Sequence, residues 1–273
     1  MAMRFVLAIM AAIVITPAHA ADSVRLYAAG SLRAALDEVA RAFTTTSGIT
    51  ISPKYGASGL LKDEIAGAAD AVTDVFASAN MEHPRALAQA GKSGPVVLFA
   101  RNQLCALVRP GLVVDSTTLL ASMLDATVKL GTSTPKADPS GDYAWEVFHK
   151  AEALQPGAFV RLESKAIKLV GGPDGPQAPP GRTVYGALLA DGRADIFLTY
   201  CTNALAATRE NPEQRMVQLP DALKVGADYG LTVLETAPPA AYRFALFILA
   251  DGQQFLAKHG FTAPNLPLRQ AAR

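Results

Sequence analysis

A chain of 273 residues, of which 50% are hydrophobic, can bury a core large enough for one large domain or two of medium size. Its 25 lysine and arginine residues and 24 aspartate and glutamate residues leave a formal charge of +1. Such a chain lacks the strongly basic surface that neutralises nucleic acid phosphates, so we expect no nucleic acid partner.

Residues 1–20 have the three parts of a secretory signal peptide. A single cation, Arg4, precedes the apolar run FVLAIMAAIVI, and the small-residue triplet AHA follows as a cleavage site. The apolar run is shorter than the roughly 20 residues that a membrane-spanning helix needs. We therefore predict an exported protein that begins near Ala21, with an uncleaved membrane anchor as the alternative.

The first part of the chain alternates strands and helices. Strands are predicted at 24–28, 49–55, 74–79, 96–100 and 103–108. Helices, with apolar residues at helical spacing, are predicted at 31–43, 59–66 and 81–90. This alternation is typical of an α/β fold in which helices cover a parallel sheet.

The same plan then restarts. Its predicted elements are helix 116–124, strand 129–131, helix 143–151, a loop at 170–182 rich in Gly and Pro, helix 183–190, strand 195–200 and helix 202–207. A last strand, 229–234, and the helices 240–249 and 252–259 look like pieces of the first unit. We predict two lobes joined by crossing segments. Their boundaries are 21–108 for the first lobe, 109–229 for the second, and 230–273 for the return to the first.

The two cysteines, Cys105 and Cys201, leave two possibilities open. An exported chain meets an oxidising compartment, where the pair would form a disulfide. Two buried, unpaired thiols are the alternative, because the sequence does not give the distance between the two Cα atoms.

The sequence shows no catalytic constellation. His83, His149 and His259 lie on predicted helices as solvated residues, without the spacing of metal ligands. The nucleophile-elbow, phosphate-loop and dinucleotide motifs are also absent from the sequence. An exported hydrolase with Ser31 or Ser58 as nucleophile is the alternative to a binding protein. It requires a histidine or lysine within hydrogen-bond reach of that serine.

Four loops end in small or hydroxyl residues where a predicted helix begins, at 30–31, 57–58, 139–141 and 181–184. A helix N-terminus has unpaired N–H groups and a positive dipole end, which together favour an anion. Each serine taken alone is explained as an ordinary helix cap. Four such turns distributed over two lobes favour one anion in the cleft between them.

The segments around these turns resemble a known family. They are YAAGSLRAALDEVARAF, YGASGLLKDEI, TPKADPSGDYAWEVF, GRTVYGALLADGRADIFLTYCTNA and FALFILADGQQFLAKHGF. In order and spacing they are similar to the periplasmic molybdate-binding proteins, which serve ABC importers for molybdate and tungstate. The resemblance covers essentially the whole chain after the signal peptide. It implies a periplasmic protein of the type II binding-protein plan, with two Rossmann-like lobes joined by a hinge.

The resemblance also implies the site residues. Members of that family hold a tetrahedral oxyanion with neutral donors only, and the matching residues are Ser31, Ser58, Ser140, Val184 and Tyr200. The first two serines and the tyrosine would donate hydroxyl protons, and Ser140 and Val184 backbone N–H groups. A site made of donors alone selects a fully deprotonated anion, because the proton of phosphate would find no acceptor.

The resemblance therefore implies a receptor that captures molybdate or tungstate, with no catalysis and no cofactor. The five site residues would meet a metal only through the oxygens of the oxyanion. The protein is expected to be a monomer that docks transiently on a membrane ABC permease. Closure of the two lobes would bury the ion and create the surface that the permease recognises.

The sequence departs from the family at the third and fourth of these turns. Ser140 stands where the family has an alanine, Lys136 and Asp142 flank it, and Arg182 lies two residues before Val184. If Arg182 or Lys136 faced the cleft, the ligand would be another oxyanion or a small organic anion such as a phosphonate. If Asp142 faced inward, it would argue against any dianion. Placement of these charged residues on the outer surface is the alternative.

Overall fold

The structure, a computed structural model, describes residues 23–176 and 182–264. The predicted signal peptide and part of the Gly- and Pro-rich loop, residues 177–181, lie outside the described residues. The strands are β1 (Ser23–Ala29), β2 (Thr50–Gly56), β3 (Val75–Ser78), β4 (Val97–Val108), β5 (Leu130–Ser133), β6 (Ile167–Val170), β7 (Ile196–Tyr200), β8 (Arg215–Gln218) and β9 (Gly226–Val233). The helices are α1 (Arg33–Ser47), α2 (Ser58–Gly67), α3 (Glu82–Gln89), α4 (Leu119–Leu124), α5 (Pro139–Leu154), α6 (Ala158–Lys165), α7 (Val184–Ala190), α8 (Cys201–Glu210), α9 (Pro239–Leu249) and α10 (Gln253–Lys258). None of the helices in the two described ranges has the length and apolarity needed to cross a membrane.

The strands form a sheet in the order β2-β1-β3-β9-β4-β7-β5-β6, and β8 also pairs with β4. The long strand β4 is shared, because Val97 to Gln103 pair with β9 whereas Leu104 to Val108 pair with β7. We call β2, β1, β3, β9 and the beginning of β4 the first half-sheet. The end of β4 with β7, β5, β6 and β8 is the second half-sheet.

The prediction of two separate strands at 96–100 and 103–108 is wrong, since β4 runs through both. The polar residues between them indicated a break. In the fold Asn102 is buried instead, and its amide donates to Thr202 Oγ1 at 2.9 Å and to Tyr229 Oη at 3.3 Å. These partners lie about a hundred residues or more further along the chain, so local sequence could not reveal them.

The α/β class is confirmed, but the sheet is mixed rather than parallel throughout. β1 is parallel to β2 and β3, and β5 is parallel to β6 and β7, as the strand–helix alternation predicted. β4 and β9 are antiparallel to each other, β9 is antiparallel to β3, and β4 is antiparallel to β7 and β8. The elements β6, α6 and β8 were not predicted. β6 (IKLV) and β8 (RMVQ) have four residues each and each contains a charged residue, so neither stands out as an apolar run.

The end of the described chain returns to the first half-sheet. β9 pairs with β3 and β4, α9 packs on β1 and β9, and α10 packs on α1. The helices α1 and α9 bury the apolar stripes that their periodicity predicted, including Leu36, Phe43 and Phe244. The lobe boundaries at residues 109 and 230 stay a prediction.

Cys105 on β4 and Cys201 at the start of α8 form a disulfide, with 4.8 Å between their Cα atoms. This separation lies inside the range of about 4.4–6.8 Å that a disulfide requires. Of the two possibilities that the sequence left open, the structure has the bonded pair. The bond ties β4 to the residue that directly follows Tyr200.

Candidate ligand-binding site

A cavity of about 390 Å³ lies between the two half-sheets, at the carboxyl ends of their strands. Residues that follow β1 and β2 line one side, and residues that end or follow β6 and β7 line the other. Ligands of open α/β sheets bind at this end of the strands. Two helix N-termini, at Ser58 and Val184, lie at the cavity, and the first N–H groups of a helix have no partner within it.

Ser31 lies in a 3-10 turn, Gly30–Leu32, between β1 and α1, and it lines the cavity. Its Oγ is 2.9 Å from Tyr229 Oη, which in turn accepts the amide N–H of Asn102 at 3.3 Å. Because Tyr229 accepts from Asn102, its own proton is available to Ser31. The proton of the Ser31 hydroxyl is then free to be donated to a ligand, and such chains of hydrogen bonds strengthen one another.

Ser58, the first residue of α2, is 1% exposed and also lines the cavity. Its Oγ accepts the backbone N–H of Ala79 at 3.1 Å. That contact occupies a lone pair but leaves the hydroxyl proton free. The next residue, Gly59, donates its N–H to Ala137 O at 3.0 Å, so α2 touches the loop before α5 at the edge of the cleft.

Tyr200, the last residue of β7, reaches the cavity from the second half-sheet. It is 2% exposed, and its hydroxyl has no hydrogen-bond partner among the described residues. Burial raises the pKa of Tyr200 well above its usual value, and the neighbouring Tyr229 and Asp138 raise it further. Tyr200 therefore keeps its proton and remains a donor. A buried donor without a partner is costly unless a ligand or water meets it.

The structure brings four of the five predicted site residues to the cavity, and Ser140 is not among them. Val184 lines the cavity as the first residue of α7, behind the N-cap Thr183, whose Oγ1 accepts from Gly186 N at 3.1 Å. Ser140 is fully buried, and its N–H donates to Asp138 Oδ1 at 3.1 Å. The backbone donor that the resemblance assigned to Ser140 is thus already engaged.

Asp138 lines the cavity near the place expected for Ser140. It is the N-cap of α5, and its sequence context, Asp before Pro139, is a recognisable helix start. The sequence analysis nevertheless missed it, together with Asn102 and Tyr229. An isolated Asn within the apolar run FARNQLCALV is the signal that would have drawn attention to Asn102.

Of the three charged residues that mark the departures from the family, Arg182 lines the cavity, whereas Lys136 and Asp142 do not. Lys136 N donates to Asp142 Oδ1 at 2.7 Å, which closes the turn before α5. Arg33, at the start of α1, also lines the cavity, with its guanidinium carbon 4.6 Å from the centre of the Tyr55 ring. Two cations therefore face the cavity, one from each side.

The geometry that a serine hydrolase requires is not found among the described residues. The hydroxyls of Ser31 and Ser58 bond to Tyr229 and to the Ala79 N–H, and neither contacts a histidine or lysine. His259 lines the cavity, but its Nε2 lies 2.9 Å from Glu38 Oε1. Within the described ranges, no cluster of His, Cys, Asp and Glu could hold a metal ion.

The other two histidines differ in their surroundings. His149 is exposed and stacks on Phe159 with 4.3 Å between ring centres, which agrees with its expected solvated position. His83 differs from the expectation, because its Nε2 is buried without a partner among the described residues. Burial lowers the pKa of His83.

Comparison of the sequence with protein families gives a match that covers residues 24–262. The matching family is described as bacterial extracellular solute-binding protein. Among individual sequences, the uncharacterized protein PM1146 from Pasteurella multocida (strain Pm70) is 33% identical over 242 residues. That alignment covers 88% of this chain and 99% of the relative.

Two solved structures illustrate the structural likeness. The sulfate-binding protein SubI from Mycobacterium tuberculosis H37Rv matches with a TM-score of 0.71 and 19% identity, over 89% of this chain and 88% of that one. The periplasmic molybdate-binding protein of Azotobacter vinelandii matches with a TM-score of 0.68 and 17% identity, over 89% of this chain and 100% of that one. This likeness confirms the fold class predicted from the sequence, the type II periplasmic binding-protein plan.

Proposed function

The chain belongs to the bacterial extracellular solute-binding proteins, and on that premise we propose that it captures a small tetrahedral oxyanion for an ABC importer. Proteins of this family are periplasmic and bind substrates for transport rather than converting them. The proposal concerns the nature of the solute and the residues that hold it.

The observation that carries the proposal is the buried, unpartnered hydroxyl of Tyr200 in a cavity that also receives two serine hydroxyls. Ser58 has a hydroxyl proton left to donate, and Ser31 has one when Tyr229 donates the hydrogen bond between them. Hydrogen bonds from such donors to a charged oxygen are stronger than those between neutral groups. Three donors from both sides of one cavity suit a ligand that has several acceptor oxygens and no apolar surface.

Molybdate and tungstate are the oxyanions that the resemblance implies, and they are the candidate ligands that the sequence suggests. The fold that this chain shares with a molybdate-binding protein is compatible with an oxyanion ligand. After lobe closure, the loaded protein would dock as a monomer on a membrane permease.

A second candidate is a different anion, such as phosphate or a phosphonate. Arg182 and Asp138 favour it, because both line the cavity in addition to the neutral donors. Members of the molybdate-binding family that the sequence resembles hold their anion with neutral donors only. A site of that kind would contain neither a carboxylate nor a guanidinium.

Isothermal titration of the purified, ligand-stripped protein tests the proposal. The titrants are molybdate, tungstate, sulfate, phosphate and methylphosphonate. We expect at least one of them to bind and the Ser31→Ala/Ser58→Ala double variant to bind it at least about 100-fold more weakly. Each lost bond to a charged oxygen is worth about 1.5–3 kcal/mol.

The matched control is Ser164→Ala. Ser164 is exposed on α6, where its Oγ donates to Arg161 O at 3.0 Å, and it is not part of the cavity. This variant should keep wild-type affinity. Unchanged affinity in the double variant would exclude the proposed donors, and no binding of any oxyanion to the folded wild-type protein would reject the function.

A further inference from the structure

We propose that the ligand is a tetrahedral oxyanion that keeps a proton, such as hydrogen phosphate, and that Asp138 accepts the hydrogen bond from that proton. The inference rests on the proposed function and names the subclass of oxyanion that the site takes. It reverses the expectation from the sequence, which excluded phosphate because the predicted site contains donors alone.

The two carboxylate oxygens of Asp138 have different surroundings. Oδ1 accepts the N–H of Ser140 at 3.1 Å and so caps α5. The hydrogen bonds of the described residues include none to Oδ2, although the nearby Ser133 hydroxyl also stabilises the ionised carboxylate. Oδ2 lies against Gly171, where an added Cβ would come within 2.7 Å of it. Gly171 itself lines the cavity. A helix cap needs only Oδ1, so the cap leaves Oδ2 available as an acceptor.

The position of Asp138 matters because Tyr200 is its neighbour. Tyr200 is the buried donor without a partner among the described residues, and the charge of Asp138 acts on its hydroxyl. Both side chains line the same cavity, so an anion held by Tyr200 has the Asp138 carboxylate among its surroundings. Among the described residues that line the cavity, Asp138 is the single acidic side chain.

The ionisation of Asp138 decides which anions it tolerates. Burial raises its pKa to about 6, the Ser140 N–H and the Ser133 hydroxyl work in the opposite direction, and the charge of Asp142 adds to the rise. Asp138 is consequently ionised at neutral pH. Tyr185 and Tyr200, its tyrosine neighbours, are neutral there because burial raises the pKa of both. Arg182 lines the same cavity and contributes a positive charge.

An ionised carboxylate beside the ligand discriminates between anions of equal shape. Sulfate, which has no proton at neutral pH, would place an oxygen with full negative character against Asp138 and would be repelled. Phosphate has the same tetrahedral shape and keeps at least one proton, which it donates to the free carboxylate oxygen. The hydroxyls of Ser31, Ser58 and Tyr200 serve the remaining oxygens of either anion equally.

The test compares sulfate, molybdate and phosphate by isothermal titration at pH 7, with wild-type protein and with Asp138→Asn. Asparagine keeps an acceptor for the Ser140 N–H, so the cap survives, while the charge is removed. We expect phosphate to bind the wild type at least about tenfold more tightly than sulfate or molybdate. In Asp138→Asn, phosphate should weaken and sulfate should strengthen, each by about tenfold.

The matched control is Asp142→Asn, which removes the same charge four residues away, outside the cavity. It should leave the order of the three anions unchanged. If sulfate or molybdate binds the wild type as tightly as phosphate, the inference is overturned while the oxyanion receptor stands. The same holds if Asp138→Asn and Asp142→Asn have equal effects. If no oxyanion binds the wild type, the proposed function itself fails. If Asp138→Asn does not fold, the order of the three anion affinities in the wild type decides whether the inference holds.

Discussion

Gly59 is a residue at which a helix of the first half-sheet touches a loop of the second, and Gly59→Ala tests whether binding depends on that contact. The N–H of Gly59 donates to Ala137 O at 3.0 Å. A Cβ at position 59 would lie 2.4 Å from Lys136 O and 2.6 Å from Ala137 O. Real Cβ atoms essentially never approach another heavy atom within 3.0 Å, so the loop or the helix must move.

The size of the effect follows from these contacts. Both opposing atoms are backbone oxygens, so no side-chain rotation relieves the overlap. Overpacking of this kind costs about 1–3 kcal/mol, and loss of the hydrogen bond to Ala137 adds about 0.5–1.5 kcal/mol. The cost falls only on the arrangement in which the two half-sheets touch, because separated half-sheets leave room for the methyl group. We expect anion affinity to fall by at least about tenfold.

The assay is isothermal titration with whichever oxyanion binds the wild type most tightly, alongside thermal unfolding. Gly67→Ala is the control, since a Cβ there, at the other end of α2, meets nothing within 4 Å. Both changes favour the helix by about 0.5–1 kcal/mol, so helix propensity cannot account for a difference between them. Equal affinities of Gly59→Ala and Gly67→Ala would refute the idea that this contact belongs to the bound state.

Four further predictions concern the cavity, its hydrogen-bonded support and the disulfide. Tyr200→Phe should leave the free energy of unfolding unchanged or raise it slightly, because its hydroxyl has no partner among the described residues, yet weaken anion binding about tenfold or more. Tyr229→Phe loses two hydrogen bonds and should lower the free energy of unfolding by about 1–3 kcal/mol; urea unfolding that ranks the two variants the other way contradicts this assignment. Replacing Cys105 and Cys201 together by alanine removes a cross-link between positions 96 residues apart and should lower the free energy of unfolding by about 2–5 kcal/mol; an unchanged urea midpoint would argue against the bond. Burial raises the pKa of Asp138 from 3.8 to about 6, so its stabilising contribution is complete below about pH 4 and is lost as the pH rises through about 6. Between pH 7 and pH 4 the ligand-free wild type should therefore gain about 2 kcal/mol relative to Asp138→Asn, and a difference that does not vary with pH would show that Asp138 titrates normally.

The fold was accessible from sequence where local pattern and tertiary surroundings agree. The stripe of apolar residues that predicted α1 is the stripe that packs into the core, and Gly48 ends that helix with a positive φ of 72°. The pattern failed at β4, where Asn102 is held inside the sheet by Thr202 and Tyr229. Such pairings join distant parts of the chain, and periodicity does not register them.

The helix starts that carry Ser31, Ser58 and Val184, and the strand end that carries Tyr200, follow from the sequence alone. Small residues, hydroxyls and apolar periodicity are local features, and each predicts where its own element begins or ends. The presence of Asp138 at the cavity instead of Ser140 was decided only by the tertiary structure. A shift of one or two residues at the start of a helix changes which side chain faces the cleft. Packing between the half-sheets determines that position. The charge beside the ligand, and with it the kind of anion the site accepts, depends on that packing.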